Sequence, residues 1–384
     1  MKNKFQWVNV IIVSISHFIN DVYAAFLSPI FPILKERLSL NYSQLGFLNA
    51  ILNIPSLLYP LVGIFADKSK PRYFIIITPA VTAICFSALG LLNNYVYLCI
   101  LLFVAGISSV FYHVPSPVMI KKLSGDNTAL GMSLFSTAGE LARTLGPLII
   151  VYFIENLYGF ENSYLLMGFG ILASVILYFR ISKIPIAKEF KNTAETGVLI
   201  TLKQYSGFFI YLTLFSVFFS FLKVSFTIFI PEYYHINGNS LLSSAFALSV
   251  LQAFGVIGTL FSGPISNFIG RKNLLIIASL ASPLFALIFI VIDMQYKIYV
   301  LAILGLFLFI SNPIILAITN DFKNNRPSLI NSMYMQISFF VSALTAYLSG
   351  IISDYIGLEK TYLFAAILGF VSFPFVLLLY KNVK

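Results

Sequence analysis

Stretches of about 20 apolar residues follow one another along almost the whole chain. An α-helix of this length spans the apolar interior of a lipid bilayer. Charged residues make up only 10% of the 384 residues, against about 25% in soluble domains. The sequence therefore predicts an all-α polytopic membrane protein that is embedded in the lipid bilayer. We predict twelve spanning helices, at approximately 6–34, 45–66, 73–92, 95–120, 130–154, 163–182, 206–230, 240–266, 273–292, 297–319, 329–353 and 361–380.

One polar segment interrupts this series after the sixth predicted span. Residues 183–205 include six charged side chains, whereas the other connections are short. We therefore predict an N-terminal six-helix bundle in residues 1–182, a cytoplasmic linker in 183–205 and a C-terminal six-helix bundle in 206–384.

The two predicted bundles share short sequence patterns at a nearly constant offset. Gly159-Phe160-Glu161 corresponds to Gly357-Leu358-Glu359, and Pro115 corresponds to Pro313, both at an offset of 198 residues. A parallel repeat of six helices is typical of transporters in which two pseudo-symmetric bundles enclose a substrate site near the bilayer midplane. The repeat therefore predicts that architecture.

The distribution of lysine and arginine predicts the orientation in the membrane. With a cytoplasmic N-terminus, 18 of these residues fall at the cytoplasmic side and four at the outer side. Cytoplasmic loops carry the excess of positive charge. We therefore predict a plasma-membrane protein with both termini in the cytoplasm. This bias also accounts for the net charge of +10, so no nucleic-acid partner is predicted.

The fifth predicted span contains two charged residues, Glu140 and Arg143. Charges at bilayer depth are costly unless they face protein, water or a partner. Three residues apart, they lie on one helix face and can pair. The pair is either a structural salt bridge or a charged patch on a polar cavity that binds solute or protons.

Asp21, with Asn20 beside it and His17 one turn earlier, lies well inside the first predicted span. Burial favours the protonated form of a carboxyl group, so Asp21 can take up and release a proton as a cavity opens to either side. We predict Asp21 as the first proton-coupling residue and Glu140 as the second. Alternatively, Asp21 is only the ionic partner of Lys223 or Arg143.

Further polar residues within the spans are candidates for solute binding. Lys223 lies inside the seventh span, where a lysine requires an anion or a polar cavity. His113 is either a hydrogen-bonding residue of the cavity or a packing residue. The predicted solute-binding set is His17, Asn20, His113, Arg143, Lys223, Asn312 and Gln336.

The loop after the second span, Gly63 to Arg72, resembles the signature loop of the major facilitator superfamily, G-x-x-x-D-[RK]-x-G-[RK]-x-[RK]. Gly63, Asp67, Lys68 and Arg72 match it, whereas Lys70 and Pro71 depart from it. The resemblance implies that Asp67 latches the cytoplasmic side of the carrier. The corresponding segment of the second half contains Asn267 in place of the acid, together with Arg271.

Other segments are similar to the fosmidomycin-resistance-type efflux proteins of this superfamily. They are Ser16 to Asp21, Ser108 to His113, and Ser133 to Phe135 with Leu145 to Leu148. Within the last of these, Gly146-Pro147 resembles the exporter-associated motif of the fifth helix. The resemblance implies a gating role for these two residues.

Together these features predict a monomeric secondary active transporter rather than an enzyme. The chain has no G-x-x-x-x-G-K-[ST] nucleotide loop, no assembled catalytic set and no metal-ligand spacing, so no cofactor or metal is predicted. We expect proton-coupled export of a small anionic or zwitterionic organic solute by alternating access. The alternative is an uptake carrier or facilitator for an organic acid or phosphorylated metabolite. A sensor is disfavoured because no soluble domain is predicted.

Overall fold

The structure is a computed structural model that describes residues 5–59, 61–62, 71–184, 203–320 and 327–381. These residues form helices and connecting turns, and none of them lies in a strand, so the predicted all-α fold is confirmed. The helices are α1 Trp7–Ala24, α2 Phe31–Leu38, α3 Tyr42–Asn53, α4 Arg72–Ser87, α5 Tyr95–His113, α6 Ser116–Ser124, α7 Thr128–Phe153, α8 Met167–Ile181, α9 Ser206–Ile236, α10 Leu241–Ile269, α11 Arg271–Val291, α12 Lys297–Leu308, α13 Ser311–Asn320, α14 Pro327–Ile356 and α15 Leu358–Lys381.

Within the described ranges, eleven helical stretches are long and apolar enough to cross a membrane. They correspond to eleven of the twelve predicted spans. The remaining span, predicted at 45–66, extends into residues outside the described ranges. Its described part comprises α3 and the 3₁₀ turn Ile54–Leu58 that follows it.

Among the predicted spans that the structure divides into two α-helices, two correspond to each other in the sequence repeat. The span predicted at 95–120 is divided between α5 and α6, next to Pro115, and the span predicted at 297–319 between α12 and α13, next to Pro313. Proline has no backbone N–H to donate to the carbonyl four residues earlier, and its ring crowds that carbonyl. The two equivalent prolines of the sequence repeat therefore mark equivalent breaks.

The described residues fall into two compact units. The first lies within Met1–Ser39 and Ile51–Asn192, and the second within Leu40–Ala50 and Thr193–Lys384. The predicted linker, 183–205, lies mostly outside the described residues, so the predicted domain boundary stays a prediction.

In the first unit, α1 packs along α7, and α4 packs against α5 and α8. Small residues allow α1 and α7 to approach closely. A Cβ atom on Gly146 would lie 2.6 Å from Ala25 Cβ and 3.0 Å from the Val22 carbonyl oxygen. The apolar core at one end of the unit consists of Val10, Val13, Ile75, Ile76, Tyr112, Met119, Ile120, Leu123, Phe135, Leu177 and Ile181.

In the second unit, α9 packs against α14 and α15, and α10 packs against α12. The unit also includes the first turns of α3. Asp354 of α14 accepts hydrogen bonds from the backbone N–H groups of Tyr42, at 2.6 Å, and Ser43, at 2.9 Å. A carboxylate in this position satisfies helix N-terminal donors that have no intrahelical partner.

The two copies of the sequence repeat have the same local backbone feature. Gly159 has a φ of 78° and Gly357 a φ of 81°, values that glycine adopts without the strain imposed by a Cβ atom. Each glycine lies at the turn before the last helical segment of its half.

Candidate functional site

The carboxylate of Asp21, in the middle of the first span, is the centre of a charged cluster in the first unit. Its side chain is only 7% exposed. His17 Nε2 lies 3.3 Å from Asp21 Oδ2, and His113 Nε2 lies 3.2 Å from Asp21 Oδ1. Arg143 Nη2 lies 3.6 Å from Asp21 Oδ2. The structure thus brings together four predicted residues from three helices, α1, α5 and α7.

A chain of uncharged polar groups holds the other side of this carboxylate. Asn20 Nδ2 donates to Asp21 Oδ1 at 3.1 Å, and the Asn20 amide oxygen accepts from Thr82 Oγ1 at 3.1 Å. Thr82 Oγ1 in turn lies 2.9 Å from Ser108 Oγ, which also bonds the Thr78 carbonyl. Asn20 is therefore oriented by α4 and presents its N–H group to Asp21.

The imidazole ring of His17 is fixed by contacts with α5 and α7. Its Nδ1 lies 2.8 Å from the Phe135 carbonyl oxygen. The ring stacks on Phe135, with 3.9 Å between centroids, and lies 5.8 Å from the Tyr112 ring. Gly139 leaves room beside it, because a Cβ atom there would lie 2.5 Å from His17 Cε1.

Glu140 and Arg143 form the predicted pair, with Arg143 Nη1 2.8 Å from Glu140 Oε1. The pair also connects to Asp21, so both the predicted pair and the predicted alternative, Asp21 as a partner of Arg143, correspond to observed contacts. Arg143 is 45% exposed and Glu140 27% exposed, in contrast to the buried Asp21. With both histidines neutral, two carboxylates and one guanidinium leave a net charge of −1.

Three residues of the cluster present groups that metal ions bind. The ligand atoms of His17, Asp21 and His113 lie within 4.8 Å of one another. The sequence spacing gave no indication of this grouping. However, the Arg143 guanidinium places a positive charge 3.6 Å from the same carboxylate. That charge disfavours a divalent cation by Coulomb repulsion, so the cluster is better suited to a proton.

A second polar site lies within the second unit, where Lys223 of α9 lines a pocket. The lining residues surround about 350 Å³ of space, some of it open to solvent. The Lys223 ammonium lies 4.5 Å from the centre of the Phe309 ring, and Tyr334 donates to the Asn312 carbonyl at 3.2 Å. The lining residues are Phe215, Ser216, Phe219, Ser220, Lys223, Ser311, Asn312, Ile315, Tyr334, Ser338 and Ser342.

Two of the solute-binding candidates in the second half, Lys223 and Asn312, thus share one pocket, whereas Gln336 does not line it. The reason is helical geometry. Tyr334, Ser338 and Ser342 of α14 are four residues apart and lie on one face. Gln336 is two residues from each neighbour on that face and so projects from a different side of the helix.

The predicted gating residues are distributed among several environments. Gly146 and Pro147 lie buried in α7, where Gly146 permits the close approach of α1. The Arg72 guanidinium lies 5.3 Å from the centre of the Tyr73 ring. Asn267 is exposed, and Arg271 donates to the Ala317 carbonyl at 3.1 Å. The remaining three, Gly63, Asp67 and Lys68, lie outside the described residues, so their role stays a prediction.

Several residues of these sites were not predicted from the sequence. The Phe135 contact with His17 is made by a backbone carbonyl, which leaves no signal in the sequence. Tyr112 lies in the segment Ser108 to His113, which is similar to the efflux proteins but did not by itself predict a contact with His17. By contrast, the spacing of Ser216, Ser220 and Lys223 places all three on one helix face, so that part of the pocket was detectable from the sequence.

Comparison with known proteins identifies the family. The model of the Major Facilitator Superfamily matches residues 13–342. The fosmidomycin resistance protein of Escherichia coli K12 is 25% identical over 366 residues, which cover 93% of this chain and 89% of that protein. The multi-drug resistance efflux pump PmrA of Streptococcus pneumoniae is 24% identical over 282 residues and 69% of each chain.

Solved structures give the same fold. A bacterial homologue of the human lysosomal transporter Spinster, in an inward-facing and occupied conformation, aligns with a TM-score of 0.84 and 12% identity. The alignment covers 100% of this chain and 98% of the homologue. The nucleoside transporter NupG aligns with a TM-score of 0.76 and 17% identity, covering 97% and 98% of the two chains.

These matches confirm the resemblance to this superfamily and to its fosmidomycin-resistance-type members, which was drawn from the motifs. They also confirm that the protein is not an enzyme. The chain belongs to the Major Facilitator Superfamily and is a multi-pass membrane transporter of small-molecule solutes.

Proposed function

We propose that this transporter exports small anionic or zwitterionic organic solutes across the plasma membrane in exchange for protons, by alternating access of its two bundles. The observation that carries the proposal is the Asp21 carboxylate, buried in a spanning helix with two histidines and an arginine within 3.6 Å. Ionisable groups at membrane depth are costly and are characteristic of proton relays and solute pathways.

The direction of transport is supported by the relatives. Two of them are named for resistance or efflux, the fosmidomycin resistance protein and the multi-drug resistance efflux pump. The orientation proposed with this direction has both termini in the cytoplasm, following the distribution of 18 basic residues inside and four outside.

The charge of the solute is inferred from the Lys223 pocket. The residues that line this pocket include Lys223, five serines and Asn312. Such a set can donate several charge-assisted or neutral hydrogen bonds to an anionic group. Arg143 is a second candidate, although it already contacts the carboxylates of Asp21 and Glu140. Because Lys223 lines the pocket, we assign the solute anion to Lys223 rather than to Arg143.

Proton coupling is tested with purified protein in liposomes that contain a trapped pH-sensitive dye. Anionic, zwitterionic and cationic solutes are added in turn, fosmidomycin included. We expect proton flux only with particular solutes, and we expect Asp21→Asn to abolish it. The matched control is Asp293→Asn, which removes an exposed carboxylate outside the cluster. Solute counterflow without any proton flux in the wild type would contradict the coupling and indicate a facilitator or another coupling ion.

The anion preference is tested with Lys223→Gln. We expect the apparent affinity for anionic solutes to fall by about tenfold or more, since a hydrogen bond to a charged group contributes about 1.5–3 kcal/mol. Cationic solutes should not be weakened. The exposed Lys203, changed to Gln, is the control for loss of a lysine. Unchanged transport of anionic solutes by Lys223→Gln would refute the role of this pocket.

A further inference from the structure

The hydrogen bond from His17 to the backbone of α7 determines which ring nitrogen of His17 can exchange a proton. Its Nδ1 lies 2.8 Å from the Phe135 carbonyl oxygen. A carbonyl oxygen only accepts hydrogen bonds, so Nδ1 must carry a hydrogen. The stacking of the ring on Phe135, at 3.9 Å, holds it in this orientation. The remaining nitrogen, Nε2, is therefore the one whose hydrogen is variable.

This second nitrogen, Nε2, is buried and makes no hydrogen bond to the described residues. It faces Asp21 Oδ2 at 3.3 Å. In a neutral His17 with its hydrogen on Nδ1, two atoms that both lack a hydrogen would face each other across this distance. An unsatisfied contact of this kind is unfavourable at a buried site. A proton on Nε2 makes the ring cationic and turns this contact into an ion pair with the Asp21 carboxylate, 3.3 Å away.

The surroundings of Asp21 indicate which of the two atoms holds that proton. Asn20 Nδ2 donates to Oδ1 at 3.1 Å, and the Arg143 guanidinium lies 3.6 Å from Oδ2. Both groups only donate hydrogen bonds, and both are satisfied by a carboxylate. No comparable set of donors surrounds His17 Nε2 within the described residues. The proton therefore belongs on the histidine.

We propose that His17 carries the coupling proton on Nε2, while Asp21 remains ionised and positions it. This inference rests on the proposed proton coupling and identifies the residue that performs it. On uptake, a hydrated proton from one side of the membrane binds the Nε2 lone pair. On release, the N–H bond breaks heterolytically and the proton passes to water on the other side.

The other titratable and charged groups around His17 are consistent with a single exchangeable proton. Its own helix supplies Asp21, α5 supplies Tyr112 and His113, and α7 supplies Glu140 and Arg143. Tyr59 also lies within electrostatic range of Asp21, and α4 contributes the uncharged hydroxyls of Thr78 and Thr82. The cluster carries a net charge of −1 when both histidines are neutral, so one bound proton neutralises it.

The direct test is nitrogen-15 NMR of the full-length protein in lipid nanodiscs, with labelled histidine, from about pH 5 to about pH 9. The chain has three histidines, so spectra of His113→Gln and His235→Gln assign the His17 signals by difference. We expect His17 to hold hydrogens on both nitrogens at the acidic end and to lose only the Nε2 hydrogen at the alkaline end. A His17 signal that does not change, or that loses the Nδ1 hydrogen instead, would overturn the proposal.

The transport test uses His17→Gln in liposomes with fosmidomycin as the probe. We expect the number of protons moved per solute molecule to fall by at least about tenfold, as on removal of a general acid or base. His235→Gln should leave this ratio unchanged. An unchanged ratio in His17→Gln would refute His17 as the carrier while leaving the coupled transport intact.

The two tests separate this inference from the proposed function. If wild-type protein moves fosmidomycin without protons while His17 exchanges its Nε2 hydrogen, the proposed coupling fails and the proton site stands. If fosmidomycin is not carried, or if His17→Gln does not fold, the wild-type NMR spectrum still decides where the proton resides.

Discussion

The burial of Asp21 in a spanning helix depends on the groups that contact its two oxygens. A single ionised side chain at membrane depth costs several kcal/mol, about 2.5–3.5 on insertion scales. Asn20, the two histidines and Arg143 offset this cost by donating to or facing the carboxylate. Asn20 is itself fixed by Thr82. The carboxylate is thus positioned by direct contacts from α5 and α7, and by α4 through Asn20.

Gly139 gives a prediction at this scale, because it provides the space in which the His17 ring lies. In Gly139→Ala, the new Cβ would lie 2.5 Å from His17 Cε1, and Phe135 stacks on the ring at 3.9 Å. The ring must shift, which weakens its bond to the Phe135 carbonyl. We expect a loss of about 1–3 kcal/mol of stability and a reduced proton-to-solute ratio, measured by thermal unfolding and by dye-loaded liposomes.

A double-mutant comparison shows whether this effect passes through His17. If it does, Gly139→Ala added to His17→Gln should reduce the proton-to-solute ratio no further, because residues in contact are not additive. An independent, additive loss would mean that Gly139 acts through the packing of α7 alone.

At the scale of helices, the cluster depends on how closely α1 and α7 approach. Gly146 lies at their crossing, where a Cβ would be 2.6 Å from Ala25 Cβ. Small residues at helix crossings in membranes allow backbones to come close, and van der Waals packing then holds the pair. This crossing brings Arg143 of α7 within 3.6 Å of Asp21 of α1. The sequence resemblance implied gating for Gly146, whereas the structure supports at least a packing role.

Substitution of Gly146 by alanine tests this crossing. Since the Val22 carbonyl and Ala25 Cβ have little freedom to move, we expect Gly146→Ala to lower stability by about 1–3 kcal/mol. Thermal unfolding in detergent measures the change. Gly168→Ala is the matched control in the same unit, because its Cβ would meet no atom within 4 Å. Equal stability of the two variants would show that α1 and α7 can separate without cost.

At the scale of the whole molecule, the features best predicted from the sequence are those that depend on a pattern within one continuous segment, such as hydropathy or residue spacing. Apolar windows gave eleven spans that the structure describes, and the i, i+4 spacing of His17 and Asp21 placed both on one face. His113 was a candidate, but its contact with Asp21 depends on how α5 packs beside α1. Likewise, the Phe135 carbonyl and the exclusion of Gln336 from the Lys223 pocket follow from packing and helix rotation, which no single segment of sequence encodes.

The orientation of the whole chain is a further prediction that the fold alone does not test. The excess of lysine and arginine places residue 272 in the cytoplasm and residue 360 outside. Lys272 and Lys360 are both exposed. Each can therefore be replaced by cysteine in a background with Cys85→Ser and Cys99→Ser. We expect a membrane-impermeant thiol reagent to label Lys360→Cys in intact cells. Lys272→Cys should react only after permeabilisation.

Two observations make this labelling decisive. Both variants should react to the same extent in detergent, which excludes a difference in local accessibility. The opposite pattern in intact cells would reverse the topology and place both termini outside. Because the proposed export direction requires solute to enter the site from the cytoplasm, the reversed topology would also exchange the sides from which the Asp21 cluster takes up and releases its proton.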